Sequence, residues 1–312
     1  MIQTCEWGYK QRPAQVLHPQ QFLILNSNFL IPMSRISYLN GEFLPHEQCF
    51  VHIEDRGFQF ADGVYEVTLF KNGKLIDGDD HLERLFRSLR EIKIEHNFTR
   101  RELLEMQLEL FSLNKMEEGI CYMQVTRGTT NRVPSCPKGL TPTINATVAL
   151  GKKLTPEEFE KGVSVITHED IRWKRCDIKT VGLLASTLMN QKAKDSGVDD
   201  MIFVREGIVT EGTFANAFIV NENGVLVTKN ADNLILCGIT RNRLIKMAKK
   251  NGLRVEERAF DVAEMMAAKE VFLTSSSLIL RPVTKIDGKI VGEGKAGNVA
   301  RMLSEDYKKF IG

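Results

Sequence analysis

Two Asn-Gly pairs constrain this chain more than any other feature. Asn40-Gly41 lies between the apolar runs of "ISYLNGEFLP", and Asn72-Gly73 between those of "YEVTLFKNGKLI". Asn-Gly supplies the two consecutive positive φ angles of a type I′ turn, so each pair predicts a β-hairpin. A third hairpin is predicted near the end, around Asp287-Gly288 in "VTKIDGKIV". Helices fall between these strand clusters. Leu82, Leu85, Phe86, Leu89 and Ile92 recur at helical spacing after Asp79 and Asp80. Thr99 and Glu102 form a capping box ahead of a helix with Leu103, Leu104, Leu108 and Phe111 on one apolar face.

Strand-like runs follow in "ICYMQVTR" and "TINATVAL", and then a charged, linker-like stretch over 151–161. The second half alternates more. "GVSVITH" reads as a strand and "LLASTLMNQKAKDSG" as a helix closed by Gly197. "MIFVR", "IVTEG", "NAFIV", "VLVT" and "VFLT" read as strands, and a helix runs from Thr240 to about Asn251. Strands clustered between helices predict an α+β chain of two lobes, with a division near 154/155.

Composition narrows the function. The 312 residues carry 42 basic and 40 acidic side chains, a net charge of +2. That balance gives no reason to expect nucleic acid or an anionic membrane as partner. No apolar run reaches the roughly 18 residues a membrane helix needs. Six cysteines without a C-x-x-C motif read as reduced thiols, which points to the cytoplasm. Residues 1–32, with apolar clusters broken by Asn26, Ser27 and Asn28, read as an N-terminal extension, disordered or arising from an upstream start codon. Structured sequence is expected from Met33.

Several groups carry potential chemistry, each with a plain alternative. Lys179 stands where the cationic stretch "RWKRCDIK" meets a small-residue apolar run. It is either a solvated loop lysine or a reactive amine, and Arg172, Lys174 and Arg175 add to its field if they point inward. "LCGITRNRL" places Gly238 and Thr240 at a helix start. Thr240 can cap that helix, and the free N–H groups of Ile239, Thr240 and Arg241 are a ready anion site or simply a helix end. Ser275, Ser276 and Ser277 close a buried-looking strand as a hydroxyl-rich turn or a second anion contact. Arg84 lies off its helix's apolar stripe, so the pattern favours a solvated arginine over a phosphate ligand. Glu211 is a strand-end carboxylate beside Gly212, a turn residue or a partner for a protonated ring nitrogen. The six histidines show no metal-binding spacing, and Walker A and G-x-S-x-G sequences are absent. An amine, a carboxylate and an anion cradle together are what a phosphorylated aldehyde cofactor with a ring nitrogen requires.

The runs "EDRGFQFADGVYEV", "HLERL", "QVTRGT", "EDIRWKRCDIK", "VTEG", "LILCGITR" and "FLTSSS" carry a family resemblance. From about Ser34 onward the sequence resembles the D-amino-acid aminotransferases, fold type IV enzymes that use pyridoxal 5′-phosphate. The resemblance implies a smaller N-terminal α/β lobe over 33–154 and a larger C-terminal pseudo-barrel lobe over 155–312. It implies ping-pong transamination between a D-amino acid such as D-alanine and a 2-oxo acid such as 2-oxoglutarate, in a homodimer. Lys179 becomes the amine that condenses with the cofactor aldehyde, and Glu211 the partner of the pyridine nitrogen. Arg84, Ile239 through its backbone, Thr240 and Ser276 become phosphate ligands, with Ser275 beside them and Leu236 against the ring. Tyr65 and Arg132, with Tyr122 close by, become the trap for the substrate carboxylate. One departure stands out: the family has a histidine two positions after the arginine, and here Pro134 fills that place without a side-chain donor. Other reactions on this fold remain alternatives: a branched-chain L-aminotransferase, an (R)-amine transaminase or an aminodeoxychorismate lyase. So do a catalytically impaired cofactor-binding protein and a phosphate-binding regulatory module.

Overall fold

A computed structural model describes residues 35–312, so the expectation for residues 1–32 lies outside the described residues. The first sheet is antiparallel throughout. It contains β1 (Ile36–Leu39), β2 (Glu42–Pro45), β3 (Gly63–Lys71), β4 (Lys74–Leu75), β5 (Glu118–Thr126) and β6 (Thr143–Ala149), in the order β2-β1-β6-β5-β3-β4. Both Asn-Gly turns form as predicted, with φ of 50° and 102° at Asn40-Gly41 and of 52° and 75° at Asn72-Gly73. A short helix α1 (Arg56–Phe60) precedes β3.

Two longer helices cover this sheet. Helix α2 (Gly78–Glu91) starts earlier than the spacing implied, taking Asp79 and Asp80 into its first turn. Those charges suit the positive end of the helix dipole. Helix α3 (Arg100–Leu113) has the predicted Thr99–Glu102 capping box. Its buried stripe, however, runs through Leu103, Met106, Gln107, Leu110 and Phe111, while Leu108 is exposed. The sheet–helix core includes Leu82, Leu85, Leu89, Leu110, Met123 and Val125, and Phe70 stacks on Phe111 at 4.0 Å between ring centroids.

The 151–161 stretch is not a plain linker. Thr155 and Glu158 form a second capping box, Pro156 takes the first helical position, and helix α4 (Pro156–Lys161) buries Phe159. The second sheet follows. Its strands are β7 (Val163–Glu169), β8 (Asp200–Arg205), β9 (Ile208–Gly212), β10 (Asn216–Val220), β11 (Leu226–Thr228), β12 (Val255–Glu257), β13 (Glu270–Ser275), β14 (Ile279–Ile286) and β15 (Lys289–Ile290). The path β10-β13-β14-β7-β8-β9 returns to β10 through one pair, Asn216 opposite Glu211, which closes a barrel-like ring. The observed mixture of helices with a wholly antiparallel sheet and a closed mixed sheet is the α+β, two-lobed architecture expected.

Inside the ring lie Val165, Ile202, Val209, Ala217, Ile219, Leu273 and Val283. The alternate residues Phe218 and Phe272 point the other way and stack at 5.1 Å, as the twofold period of a strand requires. Over that outer face pack α6 (Ile239–Lys250) and α8 (Asn298–Ile311) through Leu244, Ala248, Leu303 and Tyr307. Helix α8 carries Leu303, Tyr307 and Ile311 at i, i+4 and i+8, a stripe the strand-centred reading passed over. Helix α5 (Leu184–Asp195) is closed two residues on by Gly197 with φ 72°, as predicted, and α7 (Val262–Ala267) completes the α-helices among the described residues.

Candidate active site

The two halves meet along the segment that carries Lys179. Tyr65 N–H donates to Lys179 O at 3.0 Å, Val181 N–H donates to Gly63 O at 3.0 Å, and Val64 bridges Thr180. A stretch from the second half is thus paired to the start of β3. The Lys179 amine lies 4.1 Å from the centroid of the Tyr65 ring. Beside it opens a cavity of about 400 Å³. Its walls include Lys179, Glu211, Arg84, Leu236, Ile239, Thr240, Ser275, Ser276 and Tyr65. Nine of the eleven residues to which the resemblance gives a role therefore line one cavity.

Tyr122 and Arg132 stand one layer away. Tyr122 is the cross-strand neighbour of Val67 and stacks on Tyr65 with ring centroids 5.5 Å apart. Its hydroxyl donates to Gln124 Oε1 at 2.8 Å, and burial beside Tyr65 pushes its pKa up to about 12. Arg132 is exposed on the loop after β5, with its guanidinium 4.8 Å from the Phe60 ring centroid. Phe60 lines the cavity, and Arg132 does not. Arg56 lies against the same ring at 4.7 Å and donates through Nη1 to Val133 O at 2.7 Å, which ties this loop to α1.

Arg84 corrects the sequence pattern, because it is buried. Its Nε and Nη2 grip both oxygens of Glu66 at 2.7 and 2.8 Å, and Nη1 donates to Cys237 O at 2.9 Å. His81 also bonds Glu66, at 2.8 Å. Burial alone would raise the Glu66 pKa, but Arg84 and His81 outweigh it and hold the carboxyl well below its usual range. Glu66 was legible only as the one charged residue within the otherwise buried run "GVYEV".

The helix start also differs from expectation. Gly238, not Thr240, is the N-cap, and Thr240 is the second helical residue of α6. The first intrahelical bond runs from Asn242 N–H to Gly238 O at 3.0 Å, so the N–H groups of Ile239, Thr240 and Arg241 precede it. A side chain at Gly238 would collide with Asn216 Oδ1. Asn216 itself was missed in the sequence. Its Nδ2 donates to Glu211 Oε2 at 3.0 Å and to Leu236 O at 2.8 Å, joining the carboxylate to the approach of α6. Thr274 was missed too. It pairs with Asn216 across β10 and β13, lines the cavity, and its buried Oγ1 has no hydrogen-bond partner.

Glu211 is buried. Leu236 N–H donates to its Oε2 at 3.1 Å, and Arg172 Nη1 reaches its Oε1 at 2.5 Å. Burial raises the Glu211 pKa against the pull of Arg172. Of the three cations expected near Lys179, only Arg172 points inward. Lys174 is exposed, and Arg175 pairs with Glu91 and Asp177. Cys176, on the cavity wall, has its thiol pushed up to about 11 by burial, so it is protonated at neutral pH. Among the described residues no group of acidic, His or Cys side chains could hold a metal ion, and no helix is long and apolar enough to cross a membrane.

An amine, a buried carboxylate and a helix start ringed by hydroxyls therefore occupy one cavity between two lobes. Comparisons with known proteins agree with that geometry. The chain is 41% identical over 272 residues to a D-alanine aminotransferase of Bacillus licheniformis, covering 87% of this chain and 95% of that protein. It is 39% identical over 277 residues to a D-alanine aminotransferase of Staphylococcus aureus, covering 88% and 97%. Its fold matches a branched-chain amino acid aminotransferase from Escherichia coli with a TM-score of 0.82 at 23% identity, over 89% of this chain and 94% of that one. A branched-chain enzyme from a T.th. strain, solved with pyridoxamine 5′-phosphate, matches with a TM-score of 0.84 at 24% identity over the same shares. Residues 63–286, from the first residue of β3 to the last of β14, match the family model "Amino-transferase class IV", and the chain belongs to that family.

Proposed function

We propose that this protein catalyses pyridoxal-phosphate-dependent transamination between a D-amino acid and a 2-oxo acid, with D-alanine and 2-oxoglutarate as representative substrates. The observation that carries the reading is the single cavity holding both Lys179 and Glu211, with the start of α6 on its wall. Relatives named D-alanine aminotransferases at 39–41% identity favour D-amino acids. The branched-chain enzymes, at 23–24%, share the fold only.

The cavity suits the cofactor on its own chemistry. Three N–H groups ahead of the first helical bond, and the buried unpartnered hydroxyl of Thr274, are donors without acceptors. Gly238 keeps the backbone bare where a side chain would strike Asn216. Arg84, the backbone of Ile239, Thr240, Ser275 and Ser276 would hold the phosphate, Leu236 would pack on the ring, and Glu211 would face its nitrogen. When bound, pyridoxal phosphate supplies an aldehyde that condenses with amines and a ring that takes up electrons from a broken Cα–H bond.

The chain does the rest. Lys179 would hold the cofactor and, once the substrate amine displaces it, move the proton taken from substrate Cα to the former aldehyde carbon of the cofactor, reversing that transfer when the 2-oxo acid is bound. Glu211 keeps a negative charge against the ring nitrogen. Tyr65 would orient the substrate carboxylate at the cavity wall, with Tyr122 stacked behind it; Arg132, outside the cavity against Phe60, would have to reach past that ring to join them, and Pro134 offers no donor beside it. The side chains of Ile171, Trp173, Leu183 and Phe214 give the cavity an apolar, partly solvent-exposed rim.

We place the division near 154/155, ahead of Phe159, which packs in the second core together with Leu154, Leu69 and Ile76. A homodimer in the cytoplasm completes the reading: Phe50, Ile53, Phe58 and Leu184 leave apolar surface that a second copy would cover. The deciding experiment incubates the protein with D-alanine or L-alanine and 2-oxoglutarate and resolves the product by chiral chromatography. D-Glutamate and pyruvate should form from D-alanine alone, and Lys179→Ala should abolish both. Turnover of L-alanine at a comparable rate, or activity in Lys179→Ala, would overturn the proposal.

A further inference from the structure

We infer that Arg172 is a positioning residue: gripped by Asp170, it fixes Glu211 as an anion facing the cofactor ring nitrogen. The inference rests on the role given to Glu211 above. The first argument is an inventory of donors. Glu211 Oε1 receives Arg172 Nη1 at 2.5 Å, while Oε2 receives Asn216 Nδ2 at 3.0 Å and Leu236 N–H at 3.1 Å. The Asn216 amide cannot be turned around, because the same nitrogen also donates to Leu236 O at 2.8 Å. Every group that bonds this carboxyl is therefore a donor. A protonated carboxyl needs an acceptor for its own O–H, and none of the three supplies one.

The second argument is the grip on Arg172 itself. Its Nε and Nη2 bond Asp170 Oδ1 and Oδ2 at 2.9 and 2.8 Å, and its guanidinium lies 4.5 Å from the Phe203 ring centroid. Asp170 is buried, receives Thr210 Oγ1 at 3.0 Å, and contacts Arg205 Nη2 at 3.2 Å. Two contacts hold the guanidinium in place, and Nη1 is the arm left for Glu211. The charges in the network balance, with Asp170 and Glu211 against Arg172 and Arg205. On the other cavity walls Arg84 is engaged by Glu66, Arg241 by Glu257, and Cys176 is protonated; Lys179 and Tyr65 complete the ionisable side chains of the lining. Burial raises the Glu211 pKa, so the anion there depends on Arg172.

The test compares four holoenzymes: wild type, Arg172→Gln, Glu211→Gln and the double variant. Each is read by the visible absorption of bound pyridoxal phosphate against pH, and by kcat and KM for D-alanine. Arg172→Gln should give a pH-dependent band where the wild type is flat, and a kcat about 10- to 100-fold lower with KM changed less than about threefold. In the Glu211→Gln background, removing Arg172 should cost less than about twofold, because its effect runs through Glu211. Arg172→Lys, which keeps the charge, should restore most of the flat profile, and the uncharged Arg172→Met replaces Arg172→Gln in the cycle if the latter does not fold. Equal losses in both backgrounds, or a wild-type band and pH profile in the Arg172 variant, would overturn the inference. A Glu211→Gln enzyme with unchanged band and kcat would instead sink the role of Glu211, and the inference with it.

Discussion

Thr274→Val should move two measurements in opposite directions. Thr274 is 2% exposed, and its hydroxyl is buried on the cavity wall without a partner. Valine keeps the shape and removes that hydroxyl. An unsatisfied buried hydroxyl costs about 1–3 kcal/mol, so the cofactor-stripped variant should be more stable than wild type by about 1 kcal/mol. A hydroxyl that meets the cofactor contributes about 1 kcal/mol to holding it, roughly fivefold in Kd, and more if its partner is charged. Urea unfolding of the stripped protein gives the first quantity. Titration with pyridoxal phosphate, followed by absorbance, gives the second. The variant should gain in the first and lose in the second, whereas Thr274→Ser should change neither appreciably. A variant that loses stability in both forms shows that Thr274 acts through packing, and an unchanged Kd shows that its hydroxyl does not face the cofactor.

Three further outcomes follow from the same geometry. Glu66→Gln leaves Arg84 and His81 facing a neutral amide and should cost about 3–5 kcal/mol of stability at neutral pH. The folded-state pKa of Glu66 lies below its unfolded value, so this contribution is complete above the unfolded pKa and is lost as pH falls through the folded one. The gap between variant and wild type in chemical denaturation should therefore close in acid, and a gap that is constant with pH would contradict the ion-pair account. Gly238→Ala should displace Asn216 from Glu211 and Leu236, costing about 1–3 kcal/mol and weakening cofactor retention on dialysis; an alanine enzyme that binds cofactor normally would show that the cradle has slack. Arg132→Ala should raise KM for D-alanine at least about tenfold while leaving an uncharged primary amine nearly unaffected, since only the acid presents a carboxylate. Equal effects on both substrates would remove Arg132 from carboxylate recognition.

The hairpins and capping boxes were legible because their causes are local. Asn40-Gly41, Asn72-Gly73 and Thr99–Glu102 each need only a few neighbouring residues to set φ or satisfy a free N–H. The same logic was present at Thr155–Glu158 but was masked by the charged residues around it, so a helix was read as a linker. On α3 the apolar count misplaced Leu108. Met106 and Leu110, not Leu108, continue the i, i+3, i+7 progression from Leu103 that faces the sheet.

The site divides along a different line. Lys179 and Glu211 stood out because an amine at a charged-to-apolar junction and a carboxylate at a strand end are anomalies within a single segment. Arg84 did not, because its burial depends on Glu66, which lies 18 residues away on another element and supplies the charge that makes a buried guanidinium tolerable. Helical spacing alone places Arg84 off the apolar stripe, and a lone arginine there belongs in water. The cap at Gly238 follows the same rule. Thr240 has the better capping side chain, yet it lies at the second helical position with its side chain bonded to Tyr307, and a glycine whose missing Cβ leaves room for Asn216 takes the cap instead. Each such residue gave up its locally favoured role to a partner distant in sequence. Those partners, Glu66, Asn216 and Asp170, set the geometry and charge of the groups that touch the cavity. A residue that looks misplaced by its local pattern is thus a reason to look for a distant partner before assigning it to solvent.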